Sequence, residues 1–242
     1  MPPGFQPQEL APRYDVGSFS EDEWHTYSGE RTSSIIRSHL ARYKTTSRWV
    51  LNAGAGVHRL HLPGWKEMVV DLFEAPIRNQ AHFIRASVEE LPLDPGMFGA
   101  VVCVGEVLGY CDPARAIPEF ARVLSSPGLL ICDFGSTRSC RHWFRATHSR
   151  SADLITDQYQ NTPEPIWIYH PHYIESLLAV SGFKKLSVYG THTWSAISRR
   201  IGISAPKATR LQRLIDWLPF PNRWADVTTI VAALGEPAKA QR

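Results

Sequence analysis

The sequence predicts an α/β protein built on a doubly wound, mostly parallel sheet of seven strands, with helices on both faces. Short apolar runs of strand length alternate with segments of helical periodicity, which is typical of parallel strands joined by crossover helices. The run Ala100-Val-Val-Cys-Val104 is apolar throughout, as expected for a strand buried on both faces. The run at 48–52 leads into Gly54-Ala-Gly56, a turn that lets the backbone approach a ligand closely. Ligands of such sheets bind at the carboxyl ends of the strands, so we expect the functional site at that edge.

The strands are predicted from apolar runs and from the turns that bound them. Asp94-Pro-Gly96 and Ser126-Pro-Gly128 are typical turn sequences, and each precedes an apolar run. The second run, Val69-Val-Asp71, ends in a carboxylate. In chain order the predicted strands lie at 48–52, 68–72, 82–85, 100–104, 129–133, 183–189 and 227–234.

The helices are predicted from apolar spacing and from capping residues. An Asp-Pro pair at 112–113 is a typical helix start, and Pro118 should kink the helix that follows. A helix directly after Gly56 would direct its N-terminal N–H groups toward an anionic ligand. The predicted helices lie at 20–24, at about 29–43, after Gly56, from Asp112 to Ser126 and from Pro171 to Ser181.

Composition narrows the class of protein. A chain of 242 residues with 43% apolar residues supports a substantial core, and its net charge of +3 makes nucleic acid a minority interpretation. No apolar run approaches the ~20 residues that a membrane span requires, and the start shows no secretion signal. The four cysteines lack Cys-x-x-Cys spacing, so we expect a reduced protein in the cytoplasm.

The glycine turn and the strand-end carboxylate together predict a nucleoside-type ligand. Asp71 stands where such folds accept hydrogen bonds from ribose hydroxyls. A dinucleotide site needs a small residue three positions after Gly56, but Arg59 stands there, which argues against a dehydrogenase. There is no Tyr-x-x-x-Lys pair and no Gly-Lys-Ser/Thr phosphate loop.

Several segments, taken in order, resemble the class I S-adenosylmethionine-dependent methyltransferases. The resemblance implies a Rossmann-like methyltransferase fold, S-adenosylmethionine as the cofactor and S-adenosylhomocysteine as its product. The segments that carry it are Val50-Leu-Asn-Ala-Gly-Ala-Gly56, Val69-Val-Asp71, Ala86-Ser-Val-Glu-Glu-Leu-Pro-Leu93, Phe98 to Tyr110, Glu119 to Leu124 and Pro127-Gly-Leu-Leu-Ile131.

The resemblance also implies which residues contact the cofactor. The glycine turn would line the methionine and ribose, the end of the second strand would hold the ribose, and the segment after the fourth strand would lie near the sulfonium. An aromatic residue of the N-terminal helix would cover the cofactor. These residues are Asn52, Gly54, Ala55, Gly56, Asp71, Leu72, Ser87, Val88, Gly105, Glu106 and Tyr27. Turn capping for Asp71 and Ser87 and core packing for Tyr27 are the alternatives.

Three positions depart from the family pattern. Asn52 stands where an acidic residue is commonest, His58 where a third glycine often lies, and Ser87 where aspartate is frequent. Neutral side chains bind a cationic donor more weakly than carboxylates do, so donor affinity should be reduced.

The catalytic candidates are His170, His172, Glu106 and Tyr110. Histidine titrates near neutral pH and can remove a proton from an acceptor, although any one histidine is more often a packing or surface residue. Further imidazole and phenol groups follow the fifth strand: His142, His148, Tyr159, Tyr169 and His192. His170-Pro-His172 has no third or fourth ligand nearby, so we predict no metal site.

The chain is divided into an arm with lid helices, residues 1–47, and a methyltransferase domain, residues 48–242, with a helical insertion at about 191–225. Plain packing is the first interpretation of the insertion, and a roof over a substrate pocket is the second. A homodimer contact through Trp217, Phe220 and Trp224, a membrane surface and an acidic partner are the alternatives. We expect O- or N-methylation of a small molecule or peptide, with natural-product modification as one setting. A non-catalytic nucleoside- or partner-binding relative and an RNA methyltransferase are the alternatives.

Overall fold

The fold was analysed in a computed structural model, which describes residues 23–56, 59–73, 82–159, 162–215 and 222–235. Its strands follow the predicted order, with one hairpin added between the fifth and sixth predicted strands. They are β1 Trp49–Ala53, β2 Lys66–Asp71, β3 Phe83–Arg85, β4 Phe98–Cys103, β5 Leu124–Gly135, β6 Ala152–Tyr159, β7 Thr162–Tyr169, β8 Phe183–Thr191 and β9 Val227–Leu234.

Seven of these strands form one sheet in the order β3-β2-β1-β4-β5-β9-β8. Only β9 runs antiparallel to its neighbours, so the predicted doubly wound, mostly parallel sheet is confirmed. The chain moves outward from β1 to β3 and then crosses back to place β4 on the other side of β1. Open α/β sheets bind ligands in a crevice at such a reversal, which is expected here at the carboxyl ends of β1 and β4.

The helices are α1 Glu23–Arg42, α2 Pro113–Val123, α3 Pro171–Val180, α4 Thr193–Arg200 and α5 Ala205–Ile215. In the N-terminal region we predicted a helix start at 20–24 and a separate helix at 29–43, which is wrong from residue 23 onward, because α1 is continuous. Gly29 does not break it, since Tyr27, Ile36 and Leu40 are buried and hold one face of the helix against the protein. Residues 20–22 lie outside the described part.

The helix predicted directly after Gly56 is absent from residues 59–65. Three local features work against it: His61 and Gly64 have φ of +46° and +77°, and Pro63 lacks an N–H donor. Instead Glu67 on β2 accepts the N–H of Leu60 at 3.1 Å and fixes the connection. Residues 57–58 are outside the described ranges, and no helix N-terminus from 59–65 faces the crevice.

Strands β6 and β7 form an antiparallel hairpin that the sequence reasoning missed. Pro163 and Pro165 argue against a strand in a sequence, but they are tolerated here because a two-stranded sheet consists only of edges. The hairpin is fastened to the end of β5, where Thr137 N–H donates to the carbonyl of Tyr169 at 3.1 Å. It therefore stands over the carboxyl edge of the main sheet.

The core lies on both faces of the sheet. Alternate residues of β4 point to opposite faces, and all six are buried. Ile117 of α2 and Ile174 of α3 cover one face, and Ile36 of α1 covers the other. The predicted insertion consists of α4, α5 and the turn Asn222–Trp224, between β8 and β9; Trp217 and Phe220 lie outside the described residues. In the described residues, no helix has the length and apolar character needed to cross a bilayer.

Candidate active site

The glycine turn after β1 is tied to the end of β2 by a carboxylate. Gly54 and Gly56 have φ of +72° and +53°, a region that glycine adopts without strain. Gly56 N–H donates to Asp71 Oδ2 at 2.8 Å, and Phe73 N–H donates to Asp71 Oδ1 at 2.9 Å. Burial raises the pKa of the Asp71 carboxyl, although its backbone hydrogen bonds oppose the shift. The glycine turn and the carboxylate of Asp71, both predicted from the sequence, are thus in contact at the carboxyl edge of the sheet.

Gly54 is also required by the space around it. A Cβ atom on Gly54 would lie 2.5 Å from Cγ1 of Val107, the first residue of the 3-10 turn Val107–Tyr110. The backbone of the glycine turn and the side chain of Val107 are therefore in direct contact.

Asn52 is buried and turned toward β2. Its Nδ2 donates to Glu67 Oε1 at 2.9 Å, and Glu67 Oε2 accepts a hydrogen bond from Arg59 Nε at 3.3 Å. The acidic group that Asn52 lacks is thus present on the neighbouring strand, where it organises the connection between β1 and β2. Sequence reasoning missed Glu67 because no motif marks it. A cofactor role for Asn52 stays a prediction.

The loop that carries Ser87 and Val88 is anchored by α2. Glu119 Oε2 accepts the N–H of Leu91 at 2.8 Å, and Arg122 donates to the carbonyls of Leu91 and Leu93. Within this loop Ser87 Oγ accepts the N–H of Glu89 at 3.1 Å, and Val88 is buried. The turn role foreseen as the alternative for Ser87 is present, and its contact with a cofactor stays a prediction.

Glu106 follows β4, and its backbone has the left-handed conformation that residues other than glycine rarely adopt. Gly105 and Glu106 have φ of +87° and +60°, and Glu106 N–H donates to Oδ1 of the buried Asp133 at 2.8 Å. The Glu106 carboxylate lies over the end of β5, where a Cβ on Gly135 would be 2.9 Å from Oε2. Burial raises the pKa of Glu106 to about 8, helped by the negative charges of Asp133, Asp157 and Asp226. Burial likewise raises the pKa of Asp133 to about 6.

An ion-pair network adjoins this carboxylate pair. Arg141 Nη1 lies 3.1 Å from Asp157 Oδ2 and 3.2 Å from Asp226 Oδ2, and Ser139 Oγ donates to Asp226 Oδ1 at 2.5 Å. The opposing carboxylates raise the pKa of the Arg141 guanidinium above its ordinary value. These residues come from three distant parts of the chain, so no sequence spacing marks them.

The other catalytic candidates belong to the start of α3 and to the 3-10 turn that follows Glu106. His170 caps α3, accepting the N–H of His172 through Nδ1 at 3.1 Å, and burial lowers the pKa of its imidazole. His172 is exposed, and Tyr110 is half-buried in the turn after Val107. In the described residues neither histidine ring hydrogen-bonds Glu106. No group of three or more metal-ligating side chains occurs there with the arrangement to hold an ion.

Tyr27 and His192 hold the N-terminal helix in place. His192 is fully buried with φ of +63°, and the ring of Trp24 stacks on it at 3.5 Å. Ser28 Oγ lies 2.6 Å from His192 Nε2, and the Tyr27 ring meets the same imidazole edge-on at 5.1 Å. The packing alternative foreseen for Tyr27 is thus present, and its contact with a cofactor stays a prediction.

The fold and this edge define an α/β domain of the kind that binds nucleoside cofactors. Residues 51–132 match the family model described as "Methyltransferase domain". An uncharacterized methyltransferase of Mycobacterium tuberculosis is 32% identical over 146 residues, which are 53% of this chain and 58% of the relative. The match thus spans less than two thirds of that relative's length. Residues 51–132 are thus similar to methyltransferase domains, and the relative matched over part of its length is named as a methyltransferase.

Solved structures show the same fold at low sequence identity. The 1,6-didemethyltoxoflavin-N1-methyltransferase of Burkholderia thailandensis, with bound 1,6-didemethyltoxoflavin and S-adenosylhomocysteine, aligns with a TM-score of 0.60 and 16% identity over 95% of this chain and 87% of that one. The [4+2]-cyclase SpnF aligns with a TM-score of 0.57 and 14% identity over 90% of this chain and 85% of that one. One fold thus serves a methyltransferase and a cyclase, and activity has to be argued from the site.

Proposed function

We propose that this protein is an S-adenosylmethionine-dependent methyltransferase acting at oxygen or nitrogen of a small molecule or peptide. The observation that carries the proposal is the hydrogen bond between Gly56 N–H and Asp71 at the edge shared by β1 and β2. It places bare backbone and a carboxylate beside each other, as recognition of a ribose and its methionine extension requires. The S-adenosylhomocysteine bound to the toxoflavin enzyme supports the same donor here.

Each group at the edge has a part in binding the donor. The free lone pairs of Asp71 accept ribose hydroxyls, and the turn at Gly54 and Gly56 admits the donor close to the backbone. Val88 supplies an apolar border for the adenine. Gly105 and Glu106, after β4, face the sulfonium, whose positive charge a carboxylate stabilises.

Methyl transfer is a displacement at the methyl carbon. The acceptor atom forms a bond to that carbon while the sulfur–methyl bond breaks and its electron pair remains on sulfur, which yields S-adenosylhomocysteine. Holding the acceptor in line contributes up to about 7–11 kcal/mol in favourable systems. Glu106 takes the proton that the acceptor loses; with a pKa of about 8 it is mostly protonated at pH 7 and becomes the base as the pH rises toward 8.

The setting of the reaction is inferred from the same features. None of the four cysteines forms a disulfide within the described residues and three are buried, which favours a reducing compartment and supports a cytoplasmic location. In this proposal α1 covers the donor and α4 and α5 cover the acceptor. The pairing of α1 with α5 through Glu23–Arg210 and Glu30–Arg213 ion pairs supports a joint cover.

A ligand-binding relative without methyl transfer is the second candidate. Two observations favour it: Asn52 replaces an acidic residue, and residues 59–65 form no helix whose N-terminus could aid the donor. Both weaken donor binding rather than abolish it. Such a relative would bind the demethylated product without turning over any acceptor.

Isothermal titration with S-adenosylhomocysteine tests the proposal. We expect binding by the wild-type protein, and a loss of tenfold or more in affinity, about 1.4 kcal/mol, in Asp71→Asn. Asp94→Asn is the matched control, because Asp94 is an exposed acid in a turn away from the glycine turn. Unchanged affinity in Asp71→Asn, or no binding at millimolar product, would contradict the proposal.

A further inference from the structure

Two glycines at the carboxyl edge of the sheet face two isoleucines of the hairpin. A Cβ atom on Gly109 would lie 2.6 Å from Cγ1 of Ile166, and a Cβ atom on Gly135 would lie 2.6 Å from Cγ2 of Ile168. Neither glycine has a positive φ, so the backbone conformation does not call for glycine at these two positions. Glycine is needed there because the hairpin occupies the space that a side chain would take.

Strand β7 is fastened to the main sheet at this edge. Ile166 and Ile168 are 7% and 3% exposed, and they lie on the same face of the strand because they are two residues apart. The carbonyl of Tyr169 accepts an N–H from the segment directly after β5. On the paired strand β6, Asp157 forms an ion pair with Arg141. The position of the hairpin over the edge is therefore defined by packing, a hydrogen bond and an ion pair.

The space at Gly135 is bordered by Glu106 as well as by the hairpin. Oε2 of Glu106 would lie 2.9 Å from the added Cβ atom, on which Cγ2 of Ile168 also closes. The carboxyl of Glu106 and the side chain of Ile168 thus flank the same small volume over the end of β5. A residue larger than glycine at position 135 would displace one of them.

The backbone of Glu106 is held by hydrogen bonds, but its carboxyl is not. Its N–H donates to Asp133 and its carbonyl accepts the N–H of Gly109, each at 2.8 Å. No hydrogen bond within the described ranges reaches the carboxyl oxygens of Glu106, so packing has to fix the side chain. The preceding Gly105 is exposed, and in the described part of the chain its Cβ position borders open space.

We infer that Ile168 is the positioning residue for Glu106. Its Cγ2 methyl group and the bare backbone of Gly135 enclose the carboxyl on the side of β5 and the hairpin, which leaves the side of Gly105 for the acceptor. This inference rests on the proposed function and deepens it, because a base enclosed on one side meets its substrate in a defined orientation. Ile168 itself acts through Glu106 and does not contact the acceptor.

The surroundings of Glu106 separate enclosure from charge. Burial raises the pKa of Glu106 to about 8, and the negative charges of Asp133, Asp157 and Asp226 act in the same direction, whereas Arg141 opposes them. Ile168 carries no charge. Removing its side chain would therefore admit water to the carboxyl and leave these charged groups in place, so the pKa of Glu106 reports on the enclosure.

NMR titration of isotope-labelled glutamate carboxyl groups measures the pKa of Glu106 in the ligand-free protein, and Glu106→Gln assigns its resonance. We expect Ile168→Ala to lower this pKa by about one pH unit or more, because water reaches the carboxyl. Ile168→Val retains a methyl group at the Cγ2 position and should leave the pKa at its wild-type value. Gly135→Ala is the second variant, and its new Cβ atom should also lower the pKa by displacing the carboxyl toward water.

Ile166→Ala is the matched control, because Ile166 lies on the same face of β7 and contacts Gly109 instead of Gly135. It should destabilise the hairpin to a similar extent and leave the pKa of Glu106 unchanged. An unchanged pKa in Ile168→Ala and Gly135→Ala, or an equal fall in Ile166→Ala, would overturn the inference. Failure of the wild-type protein to bind S-adenosylhomocysteine would instead overturn the proposed function, and the titration would then describe only the placement of the carboxyl.

Discussion

Gly54 is constrained twice, by its backbone conformation and by Val107. We predict that Gly54→Ala lowers the free energy of unfolding by about 1–2 kcal/mol from the left-handed backbone alone. The overlap of the new Cβ with Val107 adds further cost, because the contact would be 2.5 Å. Urea denaturation measures the total loss in the free energy of unfolding from both effects.

Gly64→Ala is the control for the backbone cost, because Gly64 has φ of +77° and open space around its Cβ position. Val107→Ala in the Gly54→Ala background should recover the steric part. Equal destabilisation by Gly54→Ala and Gly64→Ala would show that steric overlap with Val107 adds no cost at position 54.

Glu106 makes stability depend on pH. The pKa of Glu106 is about 8 in the folded protein, above the ordinary value of 4.5. The protonated carboxyl therefore adds to the free energy of unfolding; this contribution is fully present below pH 4.5 and is lost as pH rises through 8. We predict that Glu106→Gln raises the unfolding temperature at pH 9 and has little effect at pH 5. The gain is bounded by about 1.4 kcal/mol for each unit of pKa shift, less the share screened by water at a half-buried group.

Thermal unfolding from pH 5 to about pH 9 measures this effect, with Glu90→Gln as an exposed control. In the same range methyl transfer should rise with pH as Glu106 becomes a base, with a midpoint near its pKa of about 8. Wild-type and Glu106→Gln proteins with parallel stability curves would contradict the assignment.

Single residues were predictable where one local pattern fixes their role. The Gly54-Ala-Gly56 turn and Asp71 follow from the strand runs that lead into them, and the structure brings them together as expected. Glu67, Arg141 and Asp226 could not be found in this way. Their partners come from other strands, and only tertiary packing places them in contact.

At the scale of elements, α1 is fastened to the start of the insertion by one buried imidazole. His192 joins the Trp24 ring and the Ser28 hydroxyl of α1 to Ser195 of α4. The surface ion pairs of α1 with α5 contribute at most about 1 kcal/mol each, so His192 is the main polar attachment of the N-terminal half of α1, while Ile36 and Leu40 hold the C-terminal half on the sheet.

We predict that His192→Ala loosens α1 without unfolding the sheet, because the stacking and hydrogen bonds of α1 on this ring are lost. Amide hydrogen exchange in the N-terminal half of α1 should rise at least tenfold, while the half that carries Ile36 and Leu40 and the strands β4 and β5 keep their protection. Arg37→Ala is the control on the same helix, since Arg37 donates only to the carbonyl of Ser33 within α1. Unchanged exchange in His192→Ala would show that α1 is held elsewhere.

Most element predictions were confirmed to within a few residues, and the exceptions have physical causes. The hairpin β6–β7 was missed because its prolines are acceptable only at sheet edges, which a sequence does not reveal. The helix expected after Gly56 was wrong for 59–65 because Pro63, Gly64 and a carboxylate on β2 together stabilise an extended connection.

For the whole molecule, the strand order follows from the alternation of strands and helices, and it places every functional element at one edge. The reversal between β1 and β4 brings the glycine turn, Asp71 and Glu106 to the same crevice, although they are far apart in sequence. The raised pKa of Glu106 was not predictable at this scale, because it depends on burial and on charges carried by β5, by β6 and by the residue directly before β9.

The central claim is that this crevice binds an adenosyl donor with its sulfur facing Glu106. A crystal structure of the protein with S-adenosylhomocysteine tests it most directly. We predict ribose hydroxyls within hydrogen-bonding distance of Asp71 and the sulfur between the glycine turn and Glu106. A ligand bound elsewhere, or a crevice filled by Val107 and its neighbours with Asp71 turned away from the ribose, would contradict the account.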